Sequence, residues 1–270
     1  MKILLPTDFS DNSYNAISYA MELMGAGHEW TLLHCYHTPH AGARISMKIN
    51  DILAEQSKSE LAQFEQRVKA GSDPIKYPIK TMSEHGEVIQ VVDMLAKREG
   101  YEFIAMGTTG ASGLKEVLFG SIASKVIEHS RLPVLAVPAS AEFHGLGKLA
   151  VADDLESVSN KDAAWIALQL IDAYDPKVIL VTVSSKGGEN EFKKGGSDID
   201  DLFSSAAKRS HHVVEHRDIS KGLRMFNKEQ EIDMIVMLHR KESGFVEWLT
   251  VSTAEEMAMR VRIPLLVIKG

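Results

Sequence analysis

The chain has 270 residues, 44% of them hydrophobic and 25% charged, the profile of a globular protein with room for one large domain or two of ordinary size. Its net charge of −7 gives it no general attraction for nucleic acid or anionic lipid, so any phosphate site must be local. Cys35 is the only cysteine, which excludes an intrachain disulfide and any multi-cysteine zinc site.

The opening KILLPTDFSD is an apolar strand that stops at polar residues around Asp8. Its apolar run is too short for the core of a signal peptide, and no later run approaches a membrane span, so the expectation is a cytoplasmic protein with no membrane partner. SYNAISYAMELM then carries the apolar spacing of a helix, and WTLLHCY is a second apolar strand holding His34 and Cys35. A polar stretch from Arg44 to Gly71 follows. EFIAMG is a further strand ending at Gly107, SIASKVIEHS a helix beginning near Ser121, and SRLPVLAVP the closing strand of this half.

The same order then recurs. KLAVADDLES repeats the opening strand, NKDAAWIALQLI the helix, KVILVTV the second strand, DMIVML the late strand and VRIPLLVIK the closing one. Asp8 aligns with Asp154, an offset of 146 residues, and Pro133 with Pro264, an offset of 131. The second copy is therefore 15 residues shorter, and the deletion falls opposite the polar stretch from Arg44 to Gly71. The domains are residues 1–140 and 148–270, joined through Ala141 to Gly147. Strands alternating with helices imply βαβ units and a parallel sheet, and unbroken apolar strands imply a sheet covered on both faces. The fold class is α/β, two tandem doubly wound sheets of Rossmann type with about five strands each. Such sheets take ligands beyond the carboxyl ends of their strands, which points at Asp8, at Cys35 and His37, and at Gly107.

Gly107, Gly110 and Gly120 sit in GTTGASGLKEVLFGS. Glycine tolerates positive φ and lets backbone N–H groups approach an anion, and a helix beginning near Ser121 adds unpaired N–H groups and a partial positive charge. The arrangement suits a polyphosphate; a glycine-rich surface loop with a helix cap is the plainer reading. It is neither GxxxxGK[ST] nor GxGxxG. An aspartate after a strand often caps the next helix, but Ser10 and Asp11 are available for that, which leaves Asp8 to face a ligand.

The spacing Gly107-x2-Gly110-x9-Gly120-Ser121 resembles the nucleotide-binding motif of the universal stress protein family. PTDFS, LLHCY and LPVLAVP resemble that family's first, second and last strands, so the match spans nearly all of residues 1–140; the second half matches in architecture and only weakly in motif. The resemblance implies an adenine nucleotide alpha hydrolase-like fold that binds ATP, or ADP or AMP, with a divalent cation such as Mg2+ on the phosphates. It implies that Asp8 contacts the ribose or adenine end, with Pro6 and Thr7 beside it and Cys35 against the adenine. Met106 and Gly107 would flank the ribose and phosphates, and Gly110, Gly120, Ser121 and Ile122 would hold the phosphate chain. Single-domain members commonly pair through the last strand, so the resemblance also implies a pseudo-twofold arrangement of the two copies; association into a homodimer is a further expectation.

With the offset of 131, Gly107 becomes Leu238, Gly110 becomes Lys241 and Gly120 becomes Val251, so the phosphate cradle of the second copy is expected to be broken. His239, Arg240 and Lys241 read as a solvated loop, His211, His212 and His216 as polar residues of an edge strand, and Asp198 to Asp201 as the opening of a helix. No GxSxG or HExxH is present, and Cys35 in an apolar strand reads as packing. No catalytic residue and no protein-held metal is assigned. The reading is a nucleotide-binding regulatory protein acting through an unidentified protein partner. The alternatives are a slow ATPase or autophosphorylating enzyme, with Ser121 or water as acceptor, and a structural protein without ligand.

Overall fold

A computed structural model of the chain describes residues 1–38, 43–72, 77–109, 120–153, 164–184, 201–216, 225–226, 229–239 and 263–269. The chain divides into two compact units, Met1–Phe143 and His144–Gly270.

In the first unit the elements run β1 (Lys2–Pro6), α1 (Asp11–Met24), β2 (Glu29–Tyr36), α2 (Ala43–Ala70), β3 (Ile79–His85), α3 (Val88–Glu99), β4 (Phe103–Gly107), α4 (Ser121–His129) and β5 (Val134–Val137). The strands lie in the order β3-β2-β1-β4-β5, and every pair is parallel. Consecutive residues Ile3, Leu4 and Leu5 are all fully buried, as a parallel strand covered on both faces requires. Helix α1 begins where Ser10 accepts a hydrogen bond from the Ser13 N–H, and it ends at Gly25, whose φ of 71° suits glycine. Its buried stripe includes Ala16, Ile17, Ala20 and Met21. The polar stretch after β2 forms the 28-residue helix α2, seated on the sheet through Leu61, Phe64 and Val68. Strand order reverses between β1 and β4, so Asp8 and Gly107 emerge side by side at the switch point.

The second unit holds β6 (Lys148–Asp153), α5 (Trp165–Tyr174), β7 (Lys177–Ser184), β8 (Arg209–Glu215), β9 (Met234–His239) and β10 (Leu265–Lys269). Its order, β8-β7-β6-β9-β10, is again first strand central with the fourth on its far side, and its pairs are parallel. The registers match as well: Ile3 pairs with Phe103 in the first unit, and Leu149, at an offset of 146, pairs with Met234, at an offset of 131, in the second. Asp154, Arg240, Lys241, Val251 and residues 198–200 lie outside the described residues. No helix among the described residues is long and apolar enough to cross a membrane.

Candidate functional site

A cleft of about 180 Å³ opens at the switch point of the first unit. One water needs roughly 10–15 Å³ of such a volume, so the cleft has room for far more than a single water. Pro6, Thr7, Asp8, Cys35, Met106, Gly107, Gly120, Ser121 and Ile122 all line it, while Gly110 lies outside the described residues. The structure thus gathers the ends of β1, β2 and β4 and the start of α4 around one space.

The Asp8 end is built by local hydrogen bonds. Asp8 Oδ1 accepts from the Ser10 N–H at 3.2 Å and from Ser10 Oγ at 2.5 Å, while Ser10 itself caps α1. The buried Thr7 hydroxyl meets Ser13 Oγ at 2.8 Å and accepts from the Phe9 N–H at 3.0 Å. Phe9 has φ 66°, the left-handed region that costs a bulky residue about 1–3 kcal/mol. Its ring lies 4.3 Å from that of His34 and 5.7 Å from that of Phe64, which hold it there.

The opposite end is the start of α4. Gly120 is its N-cap, with φ −63°, and has no side chain to bond the first turn. Ser121, Ile122 and Ala123 line the cleft, and their amides have no intrahelical acceptor, which suits an anion. The Gly120 N–H is bonded to the Thr108 carbonyl at 2.6 Å, so this amide is spoken for within the protein. Neither Gly107 nor Gly120 uses the left-handed backbone that glycine alone favours. The reason for Gly107 is spatial: an added Cβ would stand 2.8 Å from Asn12 Nδ2.

Between the ends the wall is largely apolar, with Leu33, Cys35, Val88 and Met106. Burial pushes the Cys35 thiol up to about 12, and Glu84 and Glu87 add to the effect, so it stays protonated at neutral pH. Burial holds His34 below the ordinary histidine range; Glu60 and Asp8 oppose the shift, and His37 adds to it. His34 Nδ1 lies 2.7 Å from the Oγ of buried Ser57, which in turn lies 2.6 Å from Ser83 Oγ. The cleft residues not singled out by motif are Ser13, Leu33, His34, Val88, Thr108, Thr109 and Ala123. Thr108 and Thr109 lie inside the glycine segment, so adjacency was a usable signal for them; nothing in the spacing marks Val88, which reaches the cleft from α3.

The universal stress protein family model matches residues 1–138 and again 146–269. The chain belongs to the universal stress protein family. Universal stress protein MJ0577 of Methanocaldococcus jannaschii is 29% identical over 156 residues, covering 50% of this chain and 93% of that protein. Universal stress protein MJ0531 of the same organism is 28% identical over 138 residues, covering 50% and 81%. A universal stress protein structure from Archaeoglobus fulgidus superposes with a TM-score of 0.71, covering 99% of this chain and 98% of that one at 21% identity, which shows a shared fold.

In the second unit of this universal stress protein, the position matching Gly107 is Leu238, partly buried near the end of β9. Among the described residues no group of three or more His, Cys, Asp or Glu side chains is placed to hold a metal ion. The His212 ring lies 4.9 Å from that of Phe226.

Proposed function

We propose that this universal stress protein binds one adenine nucleotide, ATP or alternatively ADP or AMP, in the cleft of its first unit, and that the bound state regulates a protein partner. The observation that carries the reading is the polarity of the cleft. A carboxylate able to accept from ribose hydroxyls stands at one end, Asp8, and three helix-start amides able to donate to phosphate stand at the other. The apolar wall between them suits a base. Gly110 would join Gly120, Ser121 and Ile122 at the phosphates. Phosphate oxygens would carry Mg2+ if it accompanies the nucleotide, since magnesium keeps most of its ligands from water and phosphate.

Binding is favoured over chemistry by the titratable groups at hand. The Cys35 thiol stays protonated, and Ser57, the hydroxyl that His34 meets, is buried and does not line the cleft, so neither is presented to a bound nucleotide as an activated nucleophile. Slow hydrolysis, or phosphoryl transfer to Ser121, is the alternative. The reading extends to a cytoplasmic setting, with which the unpaired Cys35 agrees, and to a homodimer as one form of partnership. The test is mass spectrometry of small molecules released from the purified chain, with an assay of ADP release. Retained adenine nucleotide without turnover is the expected result. A chain that neither retains nor takes up adenine nucleotides would sink the reading, and steady ADP release would move it to the enzymatic alternative.

A further inference from the structure

Asn12, on the first turn of α1, does not line the cleft, yet it holds one of its walls. Its Nδ2 donates to the Thr109 carbonyl and, at 2.8 Å, to Thr109 Oγ1, linking residues 97 apart in the chain. The room for this amide is the side chain that Gly107 lacks: a Cβ there would lie 2.8 Å from Asn12 Nδ2 and 3.0 Å from its Cγ. Asn12 Oδ1 is buried with no hydrogen-bond partner among the described residues. Turning the amide over would set Oδ1 against the Thr109 carbonyl, acceptor facing acceptor, so the orientation is forced and the orphan oxygen is its consequence. A buried acceptor without a partner is unfavourable, so stability alone does not account for asparagine here.

The connection continues in both directions. From Thr109 it passes to Thr108, whose N–H donates to the Val137 carbonyl at 3.0 Å and whose carbonyl takes the Gly120 N–H at 2.6 Å, at the cap of α4. Within α1 it passes back through the first turn to Ser10, which is bonded to Asp8. We propose that Asn12 is a positioning residue that fixes Thr108 and Thr109, and through them the start of α4, at the separation from Asp8 that a nucleotide spanning the cleft requires. The effect on affinity rests on the nucleotide reading above; the coupling between Asn12 and Gly107 does not.

The experiment uses the full chain, titrated with ATP and magnesium, and thermal unfolding of the nucleotide-free chain. Asn12→Ala removes two hydrogen bonds together with the orphan oxygen, and Thr109, half-buried on the open cleft, can take water in place of the lost donor, so the melting temperature should hold while affinity falls at least tenfold. Wild-type affinity, or a melting temperature that drops along with affinity, overturns the assignment. Asn12→Asp keeps the shape but cannot donate to Thr109 as a carboxylate. Its deficit relative to wild type should narrow between about pH 7.5 and about pH 5 as protonation restores a donor; a deficit independent of pH counts against the proposal. Gly107→Ala should lower the melting temperature in the wild-type background and cost measurably less beside Asn12→Ala, the remaining cost coming from the Asn12 backbone carbonyl, which would lie 3.2 Å from the new Cβ in both. Additive costs in that cycle refute the contact whatever the chain binds, whereas a wild-type chain that ignores ATP sinks the nucleotide reading and leaves the cycle to judge Asn12.

Discussion

Gly120 shows how one residue type serves a site without unusual backbone. Its φ of −63° is open to any residue, so a side chain there acts through bulk and through the cap, not through strain. Gly120→Val would place a branched side chain at the cleft and a poor N-cap on α4. ATP affinity should fall at least tenfold, about 1.4 kcal/mol, with the fold retained; calorimetric titration that finds unchanged affinity would remove the helix start from the phosphate site. His34 and His28 act at the same scale through protons. Burial depresses both, with a backbone bond from His28 to the Met24 carbonyl opposing and, around His34, Asp8, Glu60 and His37 also acting. The unfolded chain therefore takes up these protons first as pH falls. The stability contributed by the neutral rings is present above about pH 6.5 and is lost as pH drops toward the depressed folded values. The melting temperature should fall between about pH 7.5 and about pH 5.5, and His34→Gln, which can still bond Ser57, should make that fall shallower. An identical pH profile in the variant would show that His34 does not titrate within this window.

At the scale of elements, what could be read from sequence followed from physics that is local. The strands are unbroken apolar runs because both faces of the sheet are covered, and that signature survives in KILLP and in MIVML alike. Helix α2 reads in sequence only as a polar stretch, because charged residues surround its anchoring positions Ser57, Leu61, Phe64 and Val68, although these fall at helical spacing. The cleft residues on motif were legible, since strand ends at a switch point are a rule of the fold. The partnership of Gly107 with Asn12 was not, because it joins residues far apart in sequence and leaves no periodicity. Phe64 connects α2 to the site, since it is 5% exposed and its ring backs Phe9, which backs His34. Phe64→Ala should cost about 3–5 kcal/mol of stability, as expected for an aromatic lost from a core. It should also weaken ATP binding by freeing Phe9 from its left-handed turn beside Asp8. Chemical denaturation and titration check the two effects separately; a loss of stability with intact affinity would show that α2 supports the fold and not the cleft.

For the molecule as a whole, two units of the same topology invite the expectation of two sites, and the residues argue for one. The ladders are equivalent: Leu4 pairs with Ile104 in the first unit as Ala150 pairs with Ile235 in the second, so Leu238 stands where Gly107 stands. In the first unit that position must be bare to admit the Asn12 amide. Leucine at that position carries a full side chain where the first unit has none, and the aligned sequence replaces Gly120 by Val251 as well, at the residue that would start the phosphate-binding helix. A unit altered at both places has, in sequence, a bulky side chain at each position where the first unit has none. Titration of the full chain with ATP should therefore give one nucleotide per chain. Gly120→Val should lower the affinity of that one event, with no second event behind it. Leu238→Gly alone should not create a second site, because the cap remains occupied by valine. Two equivalent binding events in the wild-type chain, or a second event gained by Leu238→Gly, would show that the second unit keeps a working cleft despite these substitutions.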